Sequence, residues 1–299
     1  GLWFEPEMIS PKSKLYEEHP DWCIHIDGRI RSEARKQLIL DLSRDEVCEA
    51  VIKMLTDVLK SAPISYVKWD MNRNMTEIGS TAWPAKKQKE IAHRYMLGLY
   101  KILENITSNF PNILFESCSG GGGRFDGGML YYMPQTWTSD DTDAIERLMI
   151  QEGTSLVYPT SSMGSHVSAV PNHQVHRITP LNTRGVVAMA GSFGYELDVT
   201  KMNEEEKEEV KKQVEFYKNI RSTVQFGDLY RLKSSFDSNE AAWMNLSKDG
   251  KEVVVSYVKK YAEANVIPRR LKVKALDENS LYEVIETGEV FGGDELMYI

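Results

Sequence analysis

The 299-residue sequence has few of the features that define several large classes of protein. It contains no block of basic residues, and its net charge of −8 makes nucleic acid and anionic membranes unfavourable partners. No apolar run approaches the roughly 20 residues that a membrane-spanning helix needs. The sequence therefore predicts neither a nucleic-acid-binding protein nor a membrane protein.

Cysteine is also scarce. The sequence has only three, far apart along the chain: Cys23, Cys48 and Cys118. Three scattered cysteines cannot form a disulfide framework or a typical structural zinc site, and they are typical of a reducing compartment. We therefore expect a cytoplasmic location.

Two patterns that can mark cofactor sites are incomplete. The glycine run Gly120–Gly123 is not followed by Gly-Lys-Ser/Thr, so it does not predict a nucleotide site, and close approach of backbone to a ligand is the better explanation. His166, His173 and His176 lie within eleven residues, but no cysteine or carboxylate flanks them at metal-ligand spacing. We expect these histidines to make packing or loop contacts.

The sequence does contain regular alternation of strand-like and helix-like segments. Through the first 225 residues the predicted strands lie at 1–4, 64–69, 112–116, 135–138, 155–158 and 186–190. The predicted helices lie at 45–60, 86–108, 144–151, around 173–181, and at 204–222. Such alternation predicts parallel β/α units, as in a (β/α)8 barrel. About six strands are found where a closed barrel needs eight.

The pattern changes beyond Phe226. Strands at 252–258, 271–274 and 282–285 follow one another without helices, which is typical of antiparallel β structure. We therefore predict a catalytic β/α domain at 1–226 and a C-terminal β domain at 227–299.

A charged triplet marks the end of the strand at 64–69. Lys68, Asp70 and Asn72 are spaced by two, so their side chains leave one face of an extended strand. A carboxylate can attack or accept, while an ammonium and an amide can bind hydroxyl groups, and together they suit a polyol ligand. The alternative is a solvated strand edge.

Glycoside cleavage needs a second carboxyl group across the scissile bond. The candidates follow the strand at 135–138, where Asp140, Asp141 and Asp143 cluster. Asp143 with Glu146 has the spacing of a helix capping box, which leaves Asp140 and Asp141 for catalysis. Chemistry alone does not separate these two neighbours.

Several motifs in this order resemble the α-galactosidases of glycoside hydrolase family 36. The motifs are Gly1–Met8 (GLWFEPEM), Lys68–Arg73 (KWDMNR), Glu116–Asp126 (ESCSGGGGRFD), Trp137–Asp143 (WTSDDTD), Met163–Ser168 (MGSHVS) and Pro171–Gln174 (PNHQ). The resemblance covers essentially the whole chain. It implies a TIM-type barrel represented by about strands 3 to 8, followed by a small antiparallel β-sandwich domain.

The resemblance also implies an activity, retaining hydrolysis of terminal α-D-galactosyl residues of the melibiose or raffinose type. Asp70 matches the family's nucleophile and Asp140 its acid/base. The positions that match galactose contacts are Trp3, Arg35, Lys68, Asn72, Cys118 and Gly121. An α-galactoside is the implied partner, together with possible homo-oligomers, and no metal or organic cofactor is implied.

Three alternatives stay open at this point. The chain could belong to an α-N-acetylgalactosaminidase, to a transglycosylating oligosaccharide synthase, or to an inactive galactoside-binding fragment. The last follows from the absence, in this sequence, of the N-terminal β-sandwich and two earlier barrel strands that family members carry. We therefore expect the 299-residue chain alone to hydrolyse substrate poorly or not at all, unless another chain or a partner subunit completes the barrel.

Overall fold

The computed structural model describes residues 1–265 and 270–299. The chain divides into two compact units, 1–140 and 141–299, and each is described by itself. Within the described ranges, no helix is long and apolar enough to cross a membrane.

The first unit is a parallel sheet with helices. Its strands are β1 (Leu2–Phe4), β2 (Met8–Ile9), β3 (Leu38–Ile39), β4 (Tyr66–Asp70), β5 (Leu114–Cys118) and β6 (Gln135–Trp137). Its helices are α1 (Lys14–Glu18), α2 (Asp45–Lys60), α3 (Ile91–Asn109) and α4 (Gly127–Tyr132), with 3-10 turns at Pro20–Trp22 and Ala85–Glu90. Strands β1, β4, β5 and β6 pair in that order, all parallel. The short strands β2 and β3 form a separate antiparallel pair.

Helices α2 and α3 cover one face of this sheet. Both are amphipathic, because apolar side chains recur on one side at spacings of three and four residues. In α2 these buried residues are Val47, Val51, Leu55 and Leu59. They join one apolar core with Val67, Trp69 and Phe115 from the sheet. The opposite face of β4 and β5 carries the side chains of Lys68, Asp70 and Glu116.

The second unit contains strands β7 (Met163–Ser168), β8 (Ser192–Glu196), β9 (Asp228–Lys233), β10 (Glu240–Leu246), β11 (Val253–Lys259), β12 (Leu281–Val284) and β13 (Glu289–Gly292). Its helices are α5 (Ala144–Ser155), α6 (Leu181–Ala188), α7 (Glu204–Phe226) and α8 (Gly293–Tyr298), with 3-10 turns at Thr160–Ser162 and Val199–Lys201. Strands β7 and β8 are parallel. The later strands form a three-stranded antiparallel sheet ordered β11-β10-β9 and a hairpin of β12 and β13.

Four predicted elements are wrong. The strands expected at 155–158 and 186–190 are instead the end of α5 or α6 with the turn that follows it, and the true strands begin a few residues later, at Met163 and Ser192. No helix forms around 173–181, where α6 begins only at Leu181. The segment 271–274 has no strand, although Val273 N–H bonds Leu296 C=O at 3.2 Å. Short apolar runs and short alternating patterns do not by themselves distinguish a strand from a helix end or a loop.

Candidate active site

Asp70 lies at the carboxyl end of β4, the edge where parallel β/α barrels place their catalytic groups. Val67 and Trp69 point into the apolar core, so Lys68 and Asp70 occupy the other face of the strand, as their spacing predicts. Asp70 is only 5% exposed. Strand pairing sets it opposite Cys118 and sets Lys68 opposite Glu116.

The Asp70 carboxylate is held by three nitrogen donors. Its Oδ2 accepts hydrogen bonds from Asn72 Nδ2 at 2.6 Å and from Trp3 Nε1 at 3.1 Å. Its Oδ1 accepts from the backbone N–H of Met71 at 2.9 Å. Donors on both oxygens fix the plane of the carboxylate, and a nucleophile must be held in such a fixed orientation before it attacks.

Asn72 connects Asp70 to its surroundings. Its Nδ2 also donates to Glu5 Oε1 at 2.8 Å, and its Oδ1 accepts from Gly120 N–H at 3.1 Å. Arg35, another residue that the sequence predicts to contact substrate, lies with its Nη1 3.8 Å from Glu5 Oε1. The structure thus brings Trp3, Arg35 and Asn72 to one side of Asp70.

Lys68 lies close to the buried carboxylate of Glu116. Its Nζ is 3.5 Å from Glu116 Oε1 and 5.2 Å from the centre of the Trp137 ring, at cation–π distance. Glu116 is fully buried and accepts hydrogen bonds from Gln135 Nε2 at 2.5 Å and from the Tyr66 hydroxyl. Burial, reinforced by the negative charge of Glu116, raises the pKa of Tyr66 far above its ordinary value. Tyr66 is therefore a donor to Glu116 at any physiological pH.

Cys118 is buried beside the candidate nucleophile and is 2% exposed. Burial raises the pKa of its thiol to about 12; Lys68 opposes this rise, and interaction with Asp70 adds to it. The side chain is therefore a neutral thiol, which makes it unsuited to act as a nucleophile itself.

The glycine run forms a loop that joins the two candidate carboxylate segments. Ser119 Oγ donates to Met71 C=O at 2.8 Å, next to Asp70 in the chain. Gly121 has φ +79°, and a Cβ on it would lie 2.6 Å from Ser139 Cα and 2.8 Å from Asp140 N. Gly121 therefore packs against the strand end that carries Asp140, whereas the predicted approach of this backbone to a ligand stays a prediction.

Asp140 is exposed, whereas its two acidic neighbours are tied to the start of helix α5. Asp143 is the N-cap of that helix: it accepts from the N–H groups of Ile145 and Glu146, which is the N-cap half of the predicted capping box, and it also pairs with Arg177. Asp141 Oδ1 accepts from Asp143 N–H at 3.1 Å. These contacts give Asp141 and Asp143 a structural role at the helix start, and the choice of Asp140 as the second catalytic carboxyl group stays a prediction.

A second buried network lies behind β4. Glu7, fully buried, accepts two hydrogen bonds from Arg124, each 2.8 Å long, and further bonds from Tyr95 at 2.6 Å and Trp69 at 2.8 Å. Burial alone would raise the pKa of Glu7, but Arg124 and the other donors outweigh it, so the pKa lies below its ordinary value. Glu7 thereby links Trp69, which precedes Asp70 on β4, to Arg124, which follows the glycine run.

The sequence did not single out Glu5, Glu7 or Glu116 as functional. Each lies inside a motif quoted above, but each acts through residues distant in sequence: 67 positions separate Glu5 from Asn72, and 117 separate Glu7 from Arg124. The strand period offered one signal, because Glu116 shares a face with Cys118. In the described ranges, no group of three or more His, Cys, Asp or Glu side chains is arranged to hold a metal ion.

Comparison with known proteins adds independent observations. Residues 1–227 match the Melibiase family model, and residues 240–299 match the glycosyl hydrolase family 36 C-terminal domain. The chain is 64% identical over 298 residues to the alpha-galactosidase AgaA of Geobacillus stearothermophilus and 54% identical over 299 residues to the alpha-galactosidase Mel36A of Lactobacillus acidophilus. Each match covers 100% of this chain and 41% of the relative.

Solved structures of alpha-galactosidases also match the whole chain. The structure of an AgaA variant from Geobacillus stearothermophilus in complex with raffinose superposes with a TM-score of 0.98 at 63% identity, covering 100% of this chain and 41% of that one. An AgaA variant in complex with stachyose gives the same TM-score at 64% identity, with the same coverage of both chains. The predicted fold class, part of a β/α barrel followed by antiparallel β structure, is confirmed. The chain therefore belongs to the melibiase family, glycoside hydrolase family 36, and spans about two fifths of the length of these relatives.

Proposed function

We propose that the protein carrying this chain is a retaining α-galactosidase, with Asp70 as nucleophile and Asp140 as acid/base. The observation that carries the proposal is the Asp70 carboxylate, fixed by three N–H donors beside a glycine loop that packs against the backbone of Asp140. The match to alpha-galactosidases over the whole chain supports it.

In the first step the Asp70 carboxylate attacks the anomeric carbon of the galactosyl group. The bond from that carbon to the leaving oxygen breaks, and Asp140 gives its proton to this oxygen. The product is a β-galactosyl ester of Asp70. The donors from Trp3, Asn72 and Met71 hold the carboxylate plane while the new bond forms.

In the second step water attacks the same carbon from the face that the leaving group vacated. Asp140 now takes a proton from the water, and the ester bond to Asp70 breaks. Galactose leaves with its original α configuration. Because one group serves as acid and then as base, an exposed carboxyl such as Asp140, open to leaving group and water, fits the role.

The remaining predicted residues bind the sugar in this proposal. Trp3 is 51% exposed and offers its ring to the apolar face of galactose, while Lys68 and Arg35 offer N–H donors to hydroxyl groups. Cys118 and Gly121 contribute a small thiol and bare backbone. We propose raffinose-type oligosaccharides as substrates, because structures of family members contain raffinose and stachyose.

Azide rescue in the protein carrying this chain tests the two assignments separately. With Asp70→Gly, azide takes the place of the lost carboxylate and attacks an activated α-galactoside directly, so the expected product is β-galactosyl azide. With Asp140→Ala, the galactosyl ester still forms from a substrate with a good leaving group, and azide attacks it from the other face. The expected product is then α-galactosyl azide.

Asp141→Ala is the matched control for the acid/base. It is expected to give no azide adduct, since Asp140 remains to activate water. The proposal fails if Asp141→Ala, rather than Asp140→Ala, gives the α-azide, or if Asp70→Gly keeps hydrolytic activity. Parallel assays with p-nitrophenyl α-galactoside and its 2-acetamido counterpart decide between galactosidase and N-acetylgalactosaminidase, and the first is expected to be the better substrate.

A further inference from the structure

Glu5 is a carboxylate that the proposed mechanism does not use, although it contacts several residues of the site. It follows strand β1, and its side chain is 11% exposed. Its Oε1 accepts from Asn72 Nδ2 at 2.8 Å and lies 3.8 Å from Arg35 Nη1. Its Oε2 accepts from Gln37 Nε2 at 2.9 Å. One side chain therefore contacts Asn72, which binds the candidate nucleophile, and the segment that carries Arg35.

The contact with Asn72 determines which way the Asn72 amide faces. The amide nitrogen lies between two carboxylates, Glu5 and Asp70, and donates one hydrogen to each. A flipped amide would set its carbonyl oxygen against both negative groups and would lose the bond from Gly120 N–H to Oδ1. Glu5 thereby keeps the Asn72 donor directed at Asp70 Oδ2.

The contacts with Arg35 and Gln37 hold a tight turn. Arg35 and Lys36 have φ +54° and +61°, left-handed conformations that are unfavourable for residues with a side chain. Ala34 and Gln37 close the turn with reciprocal backbone hydrogen bonds of 3.3 and 2.9 Å. Since Glu5 binds Gln37 and attracts Arg35, it fixes the turn that presents the Arg35 guanidinium, which is 56% exposed and open to a ligand.

We propose that Glu5 is a positioning residue that aims Asp70 through Asn72 and holds Arg35 over the sugar site. The inference rests on the proposed function and deepens it. It separates two effects: the Asn72 contact governs the nucleophile and hence kcat, whereas the Arg35 contact governs sugar binding and hence KM.

Two substitutions separate these effects in the protein carrying this chain. Glu5→Gln keeps an oxygen acceptor for Asn72 but removes the charge that attracts Arg35. We expect KM for p-nitrophenyl α-galactoside to rise about 3- to 10-fold with kcat within about 3-fold. Glu5→Ala removes both contacts, and we expect kcat to fall about 100-fold as well, the cost of a nucleophile out of place.

A mutant cycle distinguishes positioning from a general structural effect. If Glu5 acts through Asn72, the kcat of the double variant Glu5→Ala/Asn72→Ala lies within about 3-fold of that of Asn72→Ala alone. Additive losses of kcat overturn the proposal, as does a Glu5→Ala variant with unchanged kcat and KM. The matched control is Glu49→Gln on helix α2, whose carboxylate also lies 3.8 Å from a cation, Lys101, and which should leave both constants unchanged.

A crystal structure of Glu5→Ala gives a readout independent of turnover. We expect the Asn72 amide to turn and its bond to Asp70 Oδ2 to be lost. If both stay as they are here, the inference is overturned even if the enzyme proves inactive on α-galactosides. Inactivity of the wild type on these substrates, by contrast, counts against the proposed function alone.

Discussion

Trp3 donates its indole N–H to Asp70 Oδ2 at 3.1 Å, although the two residues lie 67 positions apart in the chain. The contact exists because β1 pairs with β4 in parallel, with Trp3 opposite Lys68. An exposed tryptophan thus supports the candidate nucleophile while its ring remains available to a sugar.

Trp3→Phe removes this donor but keeps an aromatic ring. One of three donors to the Asp70 carboxylate is lost, so we expect kcat on an α-galactoside to fall about 10-fold or more, with a smaller change in KM. Steady-state kinetics measure both. Trp83→Phe is the control, because it removes an indole bond to Ser43, at 3.0 Å, outside the site. Equal losses in the two variants would contradict a specific role for Trp3.

Gly120 and Gly121 form a natural pair for testing the glycine loop. Both have positive φ, but a Cβ on Gly120 meets nothing within 4 Å, whereas one on Gly121 meets backbone atoms of Ser139 and Asp140. Gly120→Ala should cost only the left-handed penalty of about 1–2 kcal/mol in unfolding free energy and leave kcat/KM nearly unchanged. Gly121→Ala should cost more and should also reduce kcat/KM, because the Asp140 backbone must move. Urea unfolding and kinetics of both variants check this, and similar kcat/KM values would refute it.

The buried pair of Glu7 and Arg124 should dominate the acid stability of the first unit. Arg124→Met leaves a buried carboxylate without its cation, and we expect the free energy of unfolding to fall by about 3–5 kcal/mol. The double variant Glu7→Gln/Arg124→Met should recover part of this loss, since no charge is left unpaired. Urea unfolding at pH 7 measures these values, and a double variant no more stable than the single one would contradict the argument.

The same pair gives a pH dependence. The pKa of Glu7 is lowered from 4.5 in the folded chain, since the hydrogen bonds and charge of Arg124 outweigh burial. Its stabilisation is therefore complete above about pH 4.5 and is lost as pH falls through the lower folded pKa. Unfolding free energies measured from pH 6 to pH 3 should fall in the wild type. Arg124→Met should show a smaller fall, because the group that lowers the pKa is gone.

The three cysteines should resist modification. All are buried, and burial raises the pKa of Cys118 to about 12 and those of Cys23 and Cys48 to about 11. At pH 8 we expect negligible reaction of the folded protein with iodoacetamide and complete reaction in urea. Since the ordinary thiol pKa is 9.0, the unfolded chain ionises first, and stability should decline as pH rises above 9. Rapid labelling of Cys118 in the folded state would contradict its placement.

The sequence predicted elements well where their apolar pattern was strong. Helix α2 has the predicted bounds, Asp45 to Lys60, because one buried stripe runs through it. Strand β7 was missed because it reads Met-Gly-Ser-His-Val-Ser, in which a polar group such as the Ser165 hydroxyl is buried and donates to Gln151. Polarity that is satisfied inside a fold cannot be distinguished from surface polarity in a single sequence.

Some residues of the candidate site could likewise be predicted from the sequence, and others could not. Asp70 and Lys68 could be predicted from strand spacing, and Asp140 with the sugar contacts from the family resemblance. The supporting carboxylates Glu5 and Glu116 could not, because their importance lies in contacts between distant segments. The boundary near residue 226, homo-oligomers and a cytoplasmic location stay predictions.

The parallel pairing of β1 with β4 also bears on how activity arises during folding. Trp3 and Glu5 leave the ribosome before their partners at the end of β4, which follow more than sixty residues later. A chain that has formed α2, α3 and the β4–β5 pair but has not docked its first strand holds Asp70 without its indole donor, and with an asparagine free to turn. The proposed role of Asp70 as nucleophile therefore requires that this one three-residue strand be docked against β4.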